Sequence, residues 1–209
     1  MKNRRKKTIA QFDEIYESEI QPENVQEYHF KKAYSYFMTE DYDNAKMLFR
    51  KAQGEEGPYK DRSTYYLAYM AYQAEQYDAA LEAFLTLKDN PEFKDDVPYF
   101  LTQISFKDGR YEEVLQVAPE VSSNPKDKNQ AQVVRCVALS HYNLNQYEEA
   151  AEQFAKLQDN SLISLDRNDR FAMGFTDYRV QRYNEAITDF SYAANDKNPD
   201  LMTQQCYYL

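Results

Sequence analysis

A chain of 209 residues, 43% apolar and 29% charged, can bury a sizeable core and is too apolar to be disordered. Its formal charge of −10 excludes a general nucleic-acid binder, which needs basic surface to displace counterions. No uninterrupted apolar run approaches the length needed to span a bilayer, so membrane insertion is not expected.

The chain opens on a basic stretch, Met1 to Lys7, but Gln11, Asp13, Glu14 and Glu17 follow where a secretory leader needs apolar residues. The opening therefore reads as a solvated basic end. Thr8, Phe12 and Ile15 share helical spacing and predict a helix over 7–18, an orphan second helix of a preceding repeat within residues 1–22. Two helices follow over 25–39 and 42–52, parted by Glu40-Asp41 and stopped by Gly54, Gly57 and Pro58. The pattern recurs over 61–74 and 77–87, closed by Asp89-Asn90-Pro91, and again over 97–107, with a turn at Asp108-Gly109 and a restart at Tyr111. Pro98 suits the first turn of its helix. Pro119 would remove a hydrogen bond and clash with the preceding turn, so that helix is predicted to end or kink at about Ala118. Further pairs are predicted over 131–144 and 147–157, then over 170–180 and 183–194, closed by residues 195–199. Residues 201–209 open one more helix, the first of a truncated sixth repeat.

One phrase runs through these pairs. It reads Tyr-x-x-Ala-x-x-x-Phe at Tyr42/Ala45/Phe49, Tyr77/Ala80/Phe84, Tyr147/Ala150/Phe154 and Tyr183/Ala186/Phe190, with a weaker copy at Tyr111/Val114/Ala118. The five tyrosines lie 35, 34, 36 and 36 residues apart, the period of stacked helix pairs. These residues resemble the tetratricopeptide repeat (TPR) family. The small residue midway along that family's first helix is matched by Ala33, Ala68, Thr102, Ala138 and Gly174, and the one in its second helix by Ala45, Ala80, Val114, Ala150 and Ala186. The family's tryptophan-like position holds His29, Thr64, Pro98, Val134 and Arg170 here, so that mark is absent. The resemblance implies an all-α, right-handed solenoid of antiparallel helix pairs. Its five repeats would cover about 26–59, 61–94, 95–128, 131–164 and 167–200. It implies a non-enzymatic scaffold for protein–protein interaction, without a cofactor, whose first helices line a concave groove.

Displaced by one residue, roughly 100°, from the stripe that faces the second helix, a groove stripe can be read. It comprises Phe30, Tyr34 and Phe37; Tyr65, Tyr69 and Tyr72; Tyr99, Gln103 and Phe106; Arg135, Leu139 and Tyr142; and Phe171, Phe175 and Tyr178. Twelve of these fifteen positions are aromatic in a chain without Trp. Tyrosine presents an apolar face and a polar tip, which suits a partner surface that stays wet when empty. The bland alternative is packing between neighbouring repeats, strongest for the first and last positions of each triplet. Lys31, Arg62, Lys107, Arg135 and Arg179 lie in or beside the stripe, with Glu27 and Asp96 as acidic exceptions. The second helices carry Glu82, Glu112, Glu113, Glu148, Glu149, Glu152, Glu185 and Asp189. This asymmetry favours an acidic and apolar partner segment.

Other chemistries have little support. The chaperone-binding members of the family grip a terminal carboxylate with Lys and Asn, where this chain has Phe30, Tyr34, Tyr65 and Tyr69. The two histidines, His29 and His141, are far apart, His141 reads as a core-edge residue, and no phosphate loop or nucleophile elbow occurs. Cys136 and Cys206 have no metal-type spacing and support no disulfide framework, which leaves both cytoplasm and periplasm open. A structural spacer that self-associates through its C-terminal edge is the alternative reading. Sugar recognition by tyrosine faces is a weaker one.

Overall fold

The computed structural model describes residues 2–119, 125–158, 161–194 and 199–209, with the side chains of residues 2–7 outside the description. The turn expected over 195–199 falls largely outside the described residues. The described residues form twelve α-helices and no strand. In chain order these are α1 (Lys2–Asp13), α2 (Pro22–Phe37), α3 (Tyr42–Gln53), α4 (Lys60–Gln73), α5 (Tyr77–Thr86) and α6 (Val97–Lys107). They continue with α7 (Tyr111–Val117), α8 (Lys128–Asn143), α9 (Tyr147–Ala155), α10 (Arg167–Arg179), α11 (Tyr183–Ala193) and α12 (Leu201–Tyr208). None of them is long and apolar enough to cross a membrane. The chain divides into two compact units, Met1–Val97 and Pro98–Leu209. Within each unit, successive helices pack pair upon pair, the stacking of a helical solenoid.

The hairpins are set by one repeated turn. Glu40, Glu75, Gly109, Asn145 and Gln181 all adopt positive φ, between 59° and 71°. Each is followed by a residue whose N–H reaches back five residues, as in Asp41 N to Tyr36 O at 3.1 Å, Gln76 N to Ala71 O at 2.9 Å and Arg182 N to Asp177 O at 2.8 Å. This is the Schellman arrangement, which satisfies carbonyls left open at a helix end. The next residue is the tyrosine of the recurring phrase, and α3, α5, α7, α9 and α11 all begin on it.

Small residues let the paired helices approach. Ala33 and Ala45 are fully buried, with Phe49, Leu48 and Met70 closing the core of unit 1. In unit 2, Ala138 and Ala150 are fully buried beside Phe154 and Met173. Gly174 sits so close to α11 that an added Cβ would lie 2.8 Å from Phe190 and 3.2 Å from the carbonyl of Ala186.

Two local expectations have definite outcomes. α7 stops at Val117, and Ala118 is extended at φ −63°, ψ 130°, the conformation that a following proline imposes. The N-terminal helix is displaced: α1 ends at Asp13, and Ile15 lies beyond it, 44% exposed, instead of on a core stripe. α1 docks through Phe12, whose ring meets Tyr28 edge-on at 5.6 Å, and through an Asp13–Lys32 ion pair at 2.8 Å.

Candidate functional site

The aromatic triplets divide by geometry. The last ring of every triplet rests on the tyrosine that opens the partner helix: Phe37 on Tyr42 at 5.9 Å, Tyr72 on Tyr77 at 6.1 Å and Phe106 on Tyr111 at 5.9 Å. Tyr142 meets Tyr147 at 6.4 Å and Tyr178 meets Tyr183 at 6.0 Å in the same way. These five rings close their own hairpins, an aromatic contact repeated once per helix pair. Among the first and middle positions, Tyr34 is the exposed ring, at 38%, whereas Leu139 is buried and Phe30, Phe171 and Phe175 are partly buried against the cores of their units.

In unit 1, Phe30, Tyr34 and Tyr65 border a concavity of about 440 Å³ between α2, α4 and the linker after α5. Phe30 and Tyr34 lie one turn apart with near-parallel rings at 6.4 Å, and Tyr34 is 38% exposed. Tyr69 is half-buried, its ring 5.8 Å from Phe37. The floor is supplied by residues outside the sequence-derived stripe. Tyr66 meets Tyr34 edge-on at 5.4 Å and stacks on the buried Phe49 at 5.1 Å. Phe93 stacks under Tyr65 at 4.9 Å. The linker that carries Phe93 is fixed by Asn90, whose side chain accepts from Glu92 N–H and donates to Asp61 at 2.8 Å. Burial raises both phenols. Tyr66 is pushed up to about 12, and Tyr65, with the nearby Asp96 as a second cause, is pushed up further. Both hydroxyls therefore stay protonated at neutral pH.

In unit 2, Phe171 and Phe175 repeat the Phe30–Tyr34 arrangement at 6.4 Å. Phe175 is hemmed in by Tyr142 at 5.9 Å and Tyr147 at 5.7 Å, and the Arg179 guanidinium lies 4.2 Å from the Tyr147 ring centre. Tyr99 packs against the cluster around Val133 and Val134, and Phe106 against that around Ala138 and Phe154. Lys107 is exposed at the end of α6.

Most basic residues expected beside the groove are already matched. Lys31 pairs with Glu27 one turn away, and Arg62 with Glu92 at 2.6 Å. Arg135 grips the buried carboxylate of Asp169 at 2.7 and 2.9 Å. Asp169 also forms a capping box with Asp166 at the start of α10, so one carboxylate fixes a helix end and neutralises a cation. A free positive wall that would attract an acidic segment is thus not what these side chains build.

The remaining polar groups are structural in placement. His29 is buried, with Nε2 3.2 Å from Glu17 and Nδ1 3.6 Å from Glu55. His141 meets Gln146 at 2.7 Å beside its hairpin turn. Cys136 is buried, accepts from Gln103 at 3.3 Å, and has its thiol pushed up to about 11 by burial. Among the described residues, no group of three or more His, Cys, Asp or Glu is placed to hold a metal.

No protein-family model matches the chain. No curated protein matches it. The crystal structure of a thermophilic TPR protein from Thermus thermophilus is similar over 88% of this chain and 100% of that one, at 17% identity and a TM-score of 0.44. The helix-pair architecture described above rests on this chain's own turns, small residues and ring contacts.

Proposed function

We propose that the chain is a non-enzymatic interaction scaffold whose outward helix rings hold an extended or helical segment of a partner protein. The five-repeat division read from the sequence is part of this proposal. The observation that carries it is the split within the triplets. The last rings are used in the hairpins, whereas Tyr34, at 38% exposure, stands at a concavity with Phe30, Tyr65 and Tyr66. Large amphipathic rings around a concave surface are the usual anchors of a protein interface. Replacing Tyr34 and Tyr69 together by Ala should weaken capture of the native partner by about 1–4 kcal/mol. Unchanged capture by a folded variant would remove the groove from consideration.

A second reading, self-association, is favoured by the C-terminal face of unit 2. There Ile187, Tyr207 and Leu209 are 64%, 69% and 41% exposed around a concavity of about 420 Å³. Light scattering over a concentration series tests it: a rising mass is expected if that face self-pairs, and a constant monomer mass counts against it.

A further inference from the structure

The rim of the unit 1 concavity carries two carboxylates, Glu92 and Asp96, and one guanidinium, Arg62. The guanidinium is committed, because Arg62 Nε donates to Glu92 at 2.6 Å. The Asp96 side chain is exposed and has no hydrogen-bond or ion-pair partner among the described residues. Its charge nevertheless reaches the concavity: after burial, it is the next cause that raises Tyr65, and at Tyr66 it adds to burial and Tyr34 while Arg62 opposes it. The walls are aromatic, and an aromatic face attracts a cation placed over it; one face of Tyr65 and one of Tyr66 are already covered by Phe93 and Phe49. With both phenols protonated, the formal charge of the lining is that of one unmatched carboxylate.

Resting on the partner-binding role given above, we propose that this concavity captures a cationic side chain, lysine or arginine, presented by the bound segment. Volume permits it, since about 440 Å³ exceeds what one long side chain fills. Charge selects it. A glutamate or aspartate in the same place would meet Asp96 and Glu92 with no unmatched cation among the residues that line it. At longer range, the chain's formal charge of −10 draws basic segments in.

The test uses the full chain and short fluorescent peptides that are identical except for a central Lys, Arg, Leu or Glu, titrated by anisotropy. The Lys and Arg peptides should bind roughly tenfold tighter than the Leu peptide, and the Glu peptide weakest. Asp96→Asn should remove most of that preference, and Glu92→Gln, by releasing Arg62, should shift it toward Glu. Both carboxylates are exposed, so thermal melts of these variants should match the parent. If the Leu or Glu peptide binds the parent as tightly as the Lys peptide while Tyr34→Ala still weakens it, the aromatic surface stands and the cation preference falls. If no peptide binds the parent, the preference falls together with the groove itself.

Discussion

Asp177 sits on α10 with 16% of its side chain exposed, and among the described residues Arg182, at 3.8 Å, offers its counter-charge. Burial raises its carboxyl from the ordinary 3.8 to about 6. The folded state then holds this proton more tightly than the unfolded chain, so stability falls as pH rises through that interval and stays lower above it. Asp177→Asn should therefore stabilise the protein at neutral pH by about 1–3 kcal/mol and gain nothing at pH values where the carboxyl is protonated in both states. Thermal melts across the acid-to-neutral range check this, and a pH-independent difference would contradict it. Gly174 is the other informative single position. A methyl there gains helix propensity of about 0.5–1 kcal/mol but must displace the buried Phe190 ring or the α11 backbone, which costs about 1–3 kcal/mol. Gly174→Ala should lower the denaturation midpoint. The small-residue positions were legible one by one from the sequence phrase. Tyr66 and Phe93 were not, because a one-residue rotation on α4 and the path of a linker decide which rings reach a concavity.

At the level of elements, the hairpin turn is the repeated device. Four of its five left-handed positions are occupied by Glu40, Glu75, Asn145 and Gln181, and only Gly109 is glycine. A side chain in that conformation is strained by about 1–2 kcal/mol, part of which glycine returns as lost backbone entropy. Glu75→Gly should therefore raise the melting temperature by about 1–3 °C, while an unchanged or lower value would show the turn to be held differently. The second helices began where the tyrosines placed them, since the turn fixes that register. The first helix of the third pair, α6, begins at Val97 as the periodicity indicated, but α2, α8 and α10 each begin three residues earlier. α2 starts on Pro22, and α8 and α10 start after the capping aspartates Asp127 and Asp166, whose side chains accept from Gln130 and Asp169 N–H. Caps are local chemistry, and apolar spacing is blind to them. N-terminal to these, Ile15 matched the apolar spacing but falls after the end of α1, where no helix repeats that spacing.

Across the whole molecule, one ring contact recurs in each of the five helix pairs. Aromatics that look equivalent in the sequence have different surroundings: the last ring of each triplet meets the opening tyrosine of the next helix, whereas first rings such as Phe30, Tyr65 and Phe171 meet the phenylalanine further along it. Period and composition make the all-α helix-pair class readable; they carry no information on which ring faces inward, nor on which cations already have partners. Arg62 and Arg135, which the sequence offers to an acidic ligand, are held by Glu92 and Asp169. The central claim is that binding and folding use different rings of the same triplets. It is tested most directly by measuring partner capture and thermal stability side by side for Tyr34→Ala/Tyr69→Ala and for Phe37→Ala. The expected result is lost capture with the smaller loss of stability for the tyrosine pair, and a loss of about 2–4 kcal/mol of stability for Phe37→Ala. Retained capture by a folded Tyr34→Ala/Tyr69→Ala protein, or a Phe37→Ala protein as stable as the parent, would contradict it.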